Sequence, residues 1–193
     1  MREMEEKILA EGTVLPGGIL KVGSFLNQQI DTVLLRRMGE EIARLFADEG
    51  VTKILTIESS GIAIAASAGL VMGVPVVFAK KHRTSNVDGE VYSTVVHSFT
   101  HGTDYNVVVS RDYLRGGERV LLVDDFLAGG NALKGLLALC EQAGASVAGA
   151  AIAIEKGFQK GGDALRAHGI RVESLAIVEH MDGEGIVFRR DMV

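Results

Sequence analysis

Residues 120–133, Val-Leu-Leu-Val-Asp-Asp-Phe-Leu-Ala-Gly-Gly-Asn-Ala-Leu, form the most informative segment of the chain. It begins as an apolar run typical of a buried strand and reaches two neighbouring acidic residues, Asp124 and Asp125. A short loop with Gly129 and Gly130 then leads into a helical pattern. In open α/β sheets ligands bind where parallel strands end, and the free N–H groups of a helix N-terminus suit a phosphate. The stretch therefore predicts a ligand site at the end of a central strand.

Similar units precede and follow this stretch, because short apolar runs alternate with helical patterns. Strands are predicted at residues 53–57, 74–79, 120–123, 147–154 and 171–178. Helices are predicted at residues 2–11, from a cap at Asp31 to a stop at Gly50, and at 62–72, 131–143 and 163–168. We expect residues 13–29 to be irregular, with a turn at 16–18. The alternation indicates an α/β fold with a mostly parallel central sheet and helices on both faces.

Two stretches depart from this alternation. Residues 80–110 contain a polar, turn-rich segment and two β-like runs at 91–99 and 105–110, which predict a hairpin. This hairpin is either a hood over the ligand site or a plain extension of the sheet edge. The uncharged stretch 62–79 is about as long as a marginal membrane span. Because Gly73 and Pro75 interrupt it, we interpret it as a buried helix followed by a buried strand.

Composition limits the class of protein. The 193 residues suit a single domain over 1–193, and 47% hydrophobic with 23% charged residues is close to the globular average. The net charge of −5 argues against a general nucleic-acid binder. One cysteine, Cys140, excludes an internal disulfide and suits the reducing cytoplasm. The charged first residues do not resemble a secretory signal, and we expect no membrane partner.

The acidic pair separates the 120–133 stretch from other phosphate-binding motifs. No Gly-Lys-Ser/Thr follows it, as a P-loop requires, and it lacks the G-x-G-x-x-G of dinucleotide sites. Carboxylates cannot bind phosphate directly, but they can hold sugar hydroxyls or a metal ion that bridges to phosphate. We therefore expect a ligand that carries a phosphate beside a hydroxylated sugar, such as a ribose 5-phosphate. The alternative role for Asp124 and Asp125 is helix capping ahead of the loop.

The stretch closely resembles the phosphoribosyl-pyrophosphate motif of type I phosphoribosyltransferases, and the resemblance covers nearly the whole chain. Four further segments resemble the bacterial members that act on xanthine, namely residues 25–31, 56–62, 75–82 and 154–158. The resemblance implies the fold of that family, with a hood hairpin and a small base-binding lobe built partly by the N-terminus. It also implies a homodimer.

This resemblance implies a purine-salvage reaction. Ribose 5-phosphate would pass from 5-phosphoribosyl 1-pyrophosphate to N9 of xanthine, with Mg²⁺ and without an organic cofactor. Asp124 and Asp125 would be catalytic, because they would hold the ribose hydroxyls and, through water, the magnesium ion. Their charge would also favour a cationic ribosyl centre. The amides of one loop would cradle the 5′-phosphate, namely those of Ala128, Gly129, Gly130, Asn131 and Ala132.

The diphosphate end of that substrate would lie at two other segments. Ser59 and Ser60 match the family's pyrophosphate loop, where backbone amides face the diphosphate. The alternative is an ordinary serine cap of the following helix. Lys81 is the basic residue that we expect to reach a pyrophosphate, in similar enzymes often that of the neighbouring subunit. The alternative is a solvated run of charges.

The base would be bound by residues from both ends of the chain. Lys156 can donate to a 6-oxo group and cannot pair productively with a 6-amino group. The alternative is a salt bridge, for instance to Glu155. The resemblance adds Asn27, whose carboxamide can donate to a 2-oxo group, and Leu20. Phe158 can stack on the purine or belong to the core.

Two departures from the family pattern concern the same loop. The hydroxyl residues of the common Thr-Gly-x-Thr motif are replaced, so amides and Asn131 must bind the phosphate. Ala128 stands where hypoxanthine–guanine enzymes place a candidate general base, which fits xanthine reacting as its anion.

Two other classes of function stay open at this stage. One is a regulator that senses nucleotides or phosphoribosyl pyrophosphate, although no helix-turn-helix can be placed in the roughly thirty residues before the helix that begins at Asp31. The other is a receiver-type phosphoacceptor, whose acidic pair would follow the first strand rather than a later one.

Overall fold

The computed structural model describes residues 1–81, 90–98, 103–183 and 185–190. The helices in these ranges are α1 (Arg2–Glu11), α2 (Thr32–Leu45), α3 (Gly61–Met72), α4 (Asn131–Ala143) and α5 (Gly161–Ala167). The strands are β1 (Thr13–Leu15), β2 (Ile19–Lys21), β3 (Lys53–Ile57), β4 (Val76–Ala79), β5 (Val91–Ser98), β6 (Thr103–Ser110), β7 (Arg119–Leu127), β8 (Ser146–Lys156), β9 (Val172–Asp182) and β10 (Gly185–Phe188). A π-helical turn spans Gly23–Asn27, and a 3-10 turn spans Gly157–Gln159.

The central sheet has six strands in the order β4-β3-β7-β8-β9-β10. All neighbours are parallel except β10, which pairs antiparallel with β9 at one edge. The chain runs outward from the β3–β7 boundary in both directions, so this boundary is the topological switch point where ligands bind in such sheets. The last paired residues of the two strands are Leu55 and Leu122. The strands therefore separate before β7 reaches Asp124, which opens a crevice at their carboxyl ends.

Hydrophobic side chains cover both faces of this sheet. On one face, buried residues of α1, α2 and α3 pack against alternate residues of the strands, such as Leu121 and Val123 in β7. On the other face, α4, α5 and the β5–β6 hairpin pack against the residues between them, such as Val120 and Leu122. The predicted fold class, with a mostly parallel sheet and helices on both faces, is confirmed.

The structure corrects several predicted boundaries. Residues 13–29 are not irregular, because β1 and β2 pair as a short antiparallel hairpin and a π-helical turn follows them. Helix α2 begins after the predicted cap at Asp31 but ends at Leu45 rather than at Gly50. The ring of the next residue, Phe46, is fully buried in the core, and the chain turns there. Strand β10 is missing from the sequence prediction, since an edge strand needs a partner that local pattern does not reveal.

The predicted hairpin is formed by β5 and β6 as a separate two-stranded sheet. Among the described residues a single bridge, between Lys80 and Val108, joins it to the end of β4, so it is not a regular extension of the central sheet. It packs on α4 instead, where Gln142 exchanges two hydrogen bonds with the Ser93 backbone. Of the segment predicted as a hood, residues 82–89 and 99–102 lie outside the described ranges.

Within the described ranges, no helix is long and apolar enough to cross a membrane. The uncharged stretch 62–79 divides into α3 and β4, as predicted, with Gly73 in the left-handed conformation between them (φ 70°).

Candidate active site

The carboxyl ends of β3 and β7 meet at the first turn of α3. A Cβ atom at Gly61 would lie 2.3 Å from Thr56 Oγ1 and 3.3 Å from Asp124 Oδ1. The backbone of α3 therefore approaches the acidic pair so closely that only a glycine fits without displacement. The structure thus brings the predicted pyrophosphate loop and the predicted acidic pair into one crevice.

The two carboxylates of the acidic pair have different environments. Asp124 is buried and accepts a hydrogen bond from the Asp125 amide at 3.0 Å, while Asp125 is half-buried and accepts one from the Phe126 amide at 2.9 Å. Burial raises the pKa of Asp124 well above its ordinary value, and the charge of Asp125 raises it further, against a smaller lowering by Lys81. A buried carboxyl of this kind favours a ligand that brings positive charge or hydroxyl groups.

Two helix N-termini border the crevice without side-chain caps. Ser60 precedes α3 and makes no side-chain hydrogen bond to it, which disfavours the alternative of an ordinary serine cap. Gly130 precedes α4 in the left-handed conformation, with φ 85°, and has no side chain that could accept hydrogen bonds from the first helix amides. Because the first N–H groups of a helix lack partners within the helix, both ends present donors and a positive dipole end to an anion.

The predicted phosphate loop is held from behind by α5. A Cβ atom at Gly161 would lie 2.0 Å from the Ala128 carbonyl oxygen and 2.8 Å from the Gly130 nitrogen. The side chain of Asn131 donates to the His97 carbonyl at 3.1 Å, in the β5–β6 hairpin. That carboxamide therefore ties the hairpin to α4, whereas we expected it to help bind the phosphate.

Lys81 lies at the end of β4, beside the crevice. Its amide donates to Glu58 Oε1 at 2.6 Å, and its ammonium lies 5.3 Å from the centre of the Tyr105 ring. Burial raises the pKa of the Tyr105 hydroxyl, and the charge of Asp124 adds to that rise. The hairpin thus brings an aromatic side chain toward the acidic pair, as a hood would.

The predicted base side lies at the end of β8. Lys156 Nζ donates to the Gly18 carbonyl at 2.9 Å and lies 5.6 Å from the centre of the Phe126 ring. Burial lowers the pKa of this lysine. A Cβ atom at Gly18 would lie 3.4 Å from the Phe158 ring. The turn between β1 and β2 therefore covers the end of β8, which agrees with a lobe built partly by the N-terminus.

The alternative role of Lys156 in a salt bridge with Glu155 is wrong. Neighbouring strand residues face opposite sides of the sheet, and Glu155 pairs instead with both terminal nitrogens of Arg166, at 2.9 and 2.7 Å. The Lys156 ammonium stays on the side of the N-terminal turn.

The other two predicted base residues differ from each other in exposure. Asn27 ends the π-helical turn with an exposed side chain, which makes no hydrogen bond within the described ranges. Leu20 is 6% exposed, and its side chain packs in the core. A base could therefore meet Leu20 only through its backbone, whereas the Asn27 carboxamide is accessible.

Sequence reasoning missed three side chains around the crevice. Thr56 Oγ1 is buried and has no hydrogen-bond partner among the described residues. Glu58 binds the Lys81 amide, and Tyr105 lies under the Lys81 ammonium. Thr56 and Glu58 belong to the 56–62 segment, so their position beside Gly61 was the available signal. Tyr105 had none, because its place depends on how the hairpin docks.

The described site supplies part of the ligand set of a magnesium ion, and a bound substrate and water would have to supply the rest. Within the described ranges, no three His, Cys, Asp or Glu side chains are grouped so that they could hold a metal. Asp124 and Asp125 supply two adjacent carboxylates. Magnesium is commonly held by one or two carboxylates, with substrate phosphates and water as its other ligands, so this pair fits the ion.

Comparison with known proteins agrees with the fold. Residues 22–185 match the family model described as phosphoribosyl transferase domain. The chain is 57% identical over 185 residues to the xanthine phosphoribosyltransferase of Bifidobacterium longum (strain NCC 2705), covering 95% of this chain and 96% of that protein. It is 48% identical over 191 residues to the protein of that name from Limosilactobacillus reuteri (strain DSM 20016), covering 99% and 100%.

Solved structures share the fold at lower identity. The APRTase of Giardia lamblia complexed with 9-deazaadenine has a TM-score of 0.78 at 23% identity and covers 92% of this chain and 98% of its own. The adenine phosphoribosyltransferase of Rhodothermus marinus has a TM-score of 0.73 at 22% identity, covering 92% and 100%. On the family match and the identity to its relatives, the chain is an enzyme of the phosphoribosyl transferase family.

Proposed function

We propose that the protein transfers ribose 5-phosphate from 5-phosphoribosyl 1-pyrophosphate to N9 of xanthine, giving xanthosine 5′-monophosphate and pyrophosphate. The observation that carries the reaction is the acidic pair between two uncapped helix N-termini at the switch point of the sheet. The choice of xanthine is supported by relatives of that name at 48–57% identity over nearly the whole chain.

The two anionic ends of the substrate bind at the two helix N-termini. Amides of residues 128–132 receive the 5′-phosphate, because Gly129 and Gly130 leave the backbone open to its oxygens. Amides at Ser59 and Ser60 receive the diphosphate, and the ammonium of Lys81 adds positive charge beside them.

Asp124 and Asp125 act on the ribose between those ends. Their oxygens accept hydrogen bonds from the 2′- and 3′-hydroxyls, and their negative charge stabilises the positive charge that develops at the ribosyl carbon. The pair would also hold a magnesium ion through water, and the ion would supply positive charge that offsets the charge of the pyrophosphate group. Positive charge brought by the substrate and the ion would favour the ionised form of Asp124.

The base is selected at the end of β8. The Lys156 ammonium donates to the 6-oxo group, the Asn27 carboxamide donates to the 2-oxo group, and the Leu20 backbone lies beside the ring. Phe158 offers a face for stacking. Ala128 supplies no general base at that position, which supports xanthine reacting as its anion.

We further propose a homodimer and a cytoplasmic location. Apolar side chains are exposed on α3 and β4, among them Leu70 (85% exposed) and Phe78 (42% exposed), and a second copy would cover them. Analytical ultracentrifugation tests this, because a single species at the monomer mass would contradict it. The single cysteine suits a reducing compartment.

An end-point assay tests the proposed function. The protein, phosphoribosyl pyrophosphate and magnesium are mixed separately with xanthine, guanine, hypoxanthine and adenine, and nucleotide and pyrophosphate are measured. We expect product mainly with xanthine. Product with guanine or hypoxanthine instead would keep the reaction and overturn the specificity. Binding of phosphoribosyl pyrophosphate without product from any base would favour the regulator.

A further inference from the structure

The first turn of α5 lies directly behind the 128–130 loop. A Cβ atom at Gly161 would lie 2.0 Å from the Ala128 carbonyl oxygen and 2.8 Å from the Gly129 carbonyl carbon. Backbone therefore rests on backbone, with no side chain between them to absorb a displacement. Any movement of this turn is passed to the loop.

A buried carboxylate supports the same turn from the other side. A Cβ atom at Gly162 would lie 2.0 Å from Glu155 Oε1. Glu155 is 1% exposed, and its two oxygens accept hydrogen bonds from Arg166 at 2.9 and 2.7 Å. Ser174 Oγ adds a third, at 2.5 Å. Because both oxygens are engaged, the carboxylate has one position.

Arg166 fastens this arrangement to the sheet. It belongs to α5 itself, and its Nε donates to the Val172 carbonyl at 3.1 Å, at the start of β9. The helix is thus fixed to β8 through Glu155 and to β9 through Val172. Its glycine turn faces the loop, and the Leu165 side chain also lies there, 3.6 Å from the position of a Cβ atom at Gly130.

We propose that Glu155 is a positioning residue for the 5′-phosphate loop, acting through Gly162 and Gly161. The inference rests on the proposed function, because it assigns the 128–132 amides to a phosphate. Glu155 does not touch the substrate, since it faces away from the side of Lys156. Its effect is to set the distance of the loop amides from the phosphate, to which affinity is sensitive.

Glu155→Gln tests the proposal, because it keeps the shape of the side chain but places an NH2 group against a hydrogen-bond donor of Arg166 or Ser174. We expect the KM and the Kd for phosphoribosyl pyrophosphate to rise by about tenfold or more. The KM for xanthine and kcat should stay within about twofold, because the base side and the acidic pair are not in contact with Glu155. A merely structural role would not produce this split.

Glu118→Gln is the matched control. Glu118 pairs with the largely buried Lys53 at the opposite ends of the strands, so this change weakens an ion pair without reaching the loop. Ser174→Ala is the milder second variant, which removes one hydrogen bond and leaves the ion pair. We expect it to raise the same KM by about two- to threefold, and it keeps the proposal testable if Glu155→Gln does not fold.

Calorimetric titration with phosphoribosyl pyrophosphate and glycine-labelled amide NMR spectra complete the test. The proposal requires shifted Gly129 and Gly130 signals in ligand-free Glu155→Gln and unshifted ones in Glu118→Gln. Unchanged affinity, or an equal rise in both KM values, would overturn it. If the wild-type protein makes no nucleotide from any base, the proposed function fails, while the titration and the spectra still decide the role of Glu155.

Discussion

Asp124 is buried, and burial disfavours the charged carboxylate that its proposed role requires. In the folded protein its carboxyl keeps a proton to higher pH than in the unfolded chain, because burial raises its pKa. Between those two pKa values the folded form holds more protons, so the contribution of this group to stability falls as the pH rises through that window. Asp124→Asn removes the ionisable group and should stabilise the ligand-free protein at pH 7.

We expect Asp124→Asn to raise the Tm of the ligand-free protein at pH 7, because the neutral amide removes the cost of burying a charge. The gain should shrink toward pH 4. Thermal unfolding of the variant and the wild type across that range checks this. A difference in Tm between them that is the same at all pH values would contradict the assigned cause.

The activity of the acidic pair should change in the opposite direction. Asp124→Asn combined with Asp125→Asn should lower kcat by about 10²–10³-fold or more, because the charge that stabilises the ribosyl centre is lost. Circular dichroism should show an intact fold. Normal turnover in this double variant would remove both residues from the site.

Lys156 gives a test of base selection. Lys156→Met removes the donor to the 6-oxo group, and the KM for xanthine should rise by about tenfold or more. The KM for phosphoribosyl pyrophosphate should change little. Lys21→Met, at an exposed lysine of β2, is the control and should leave both KM values unchanged in steady-state assays.

At the scale of elements, the β5–β6 hairpin depends on a glycine in α4. A Cβ atom at Gly135 would lie 2.5 Å from Val96 Cγ2, so Gly135→Ala should push the hairpin off the helix. Overpacking of this kind costs about 1–3 kcal/mol, which outweighs the gain of about 1 kcal/mol in helix propensity.

Hydrogen exchange is the direct measurement for this variant. Amides of the hairpin should exchange faster, while those of the central sheet keep their protection. Gly183→Ala, where none of the other described residues has an atom within 4 Å of the added Cβ, should change neither. If the substitution changed the exchange rates of hairpin and sheet amides equally, the contact at Gly135 would not be what holds the hairpin.

Some helices and strands could be predicted from the sequence alone, and others could not. The spans of β3 and α4 follow from apolar runs bounded by Gly and polar residues, and both match the structure. The β1–β2 hairpin and β10 have strands of three or four residues, too short for alternation to be visible, and they exist because a partner is close. Similarly, Asn131 could be placed at the loop from sequence, but its bond to His97 depends on hairpin docking.

At the scale of the whole molecule, Arg189 ties the end of the chain to α5 and β9. It pairs with Asp163 at 2.8 Å and with Glu179 at 2.8 Å, and these contacts lower the pKa of both carboxyls. That stabilisation is present above their ordinary pKa values of 3.8 and 4.5 and is lost as the pH falls through their lowered values.

Arg189→Met should therefore cost roughly 1 kcal/mol at pH 7, a figure limited by solvent screening, and less in acid. Urea unfolding at pH 7 and at about pH 3 measures the difference. Arg190→Met, at an exposed neighbour, is the control. A cost that does not fall in acid would show that Arg189 acts through packing of its stem instead.

The last two residues of β8 have a consequence for engineering. Glu155 and Lys156 are adjacent in sequence but face opposite sides of the sheet, one toward α5 and the other toward the N-terminal turn. Libraries that vary position 156 to accept new bases can therefore leave the donor-sugar site intact. A one-residue insertion or deletion in β8 would exchange the two directions at once, so directed evolution of this chain should explore substitutions there and avoid length changes.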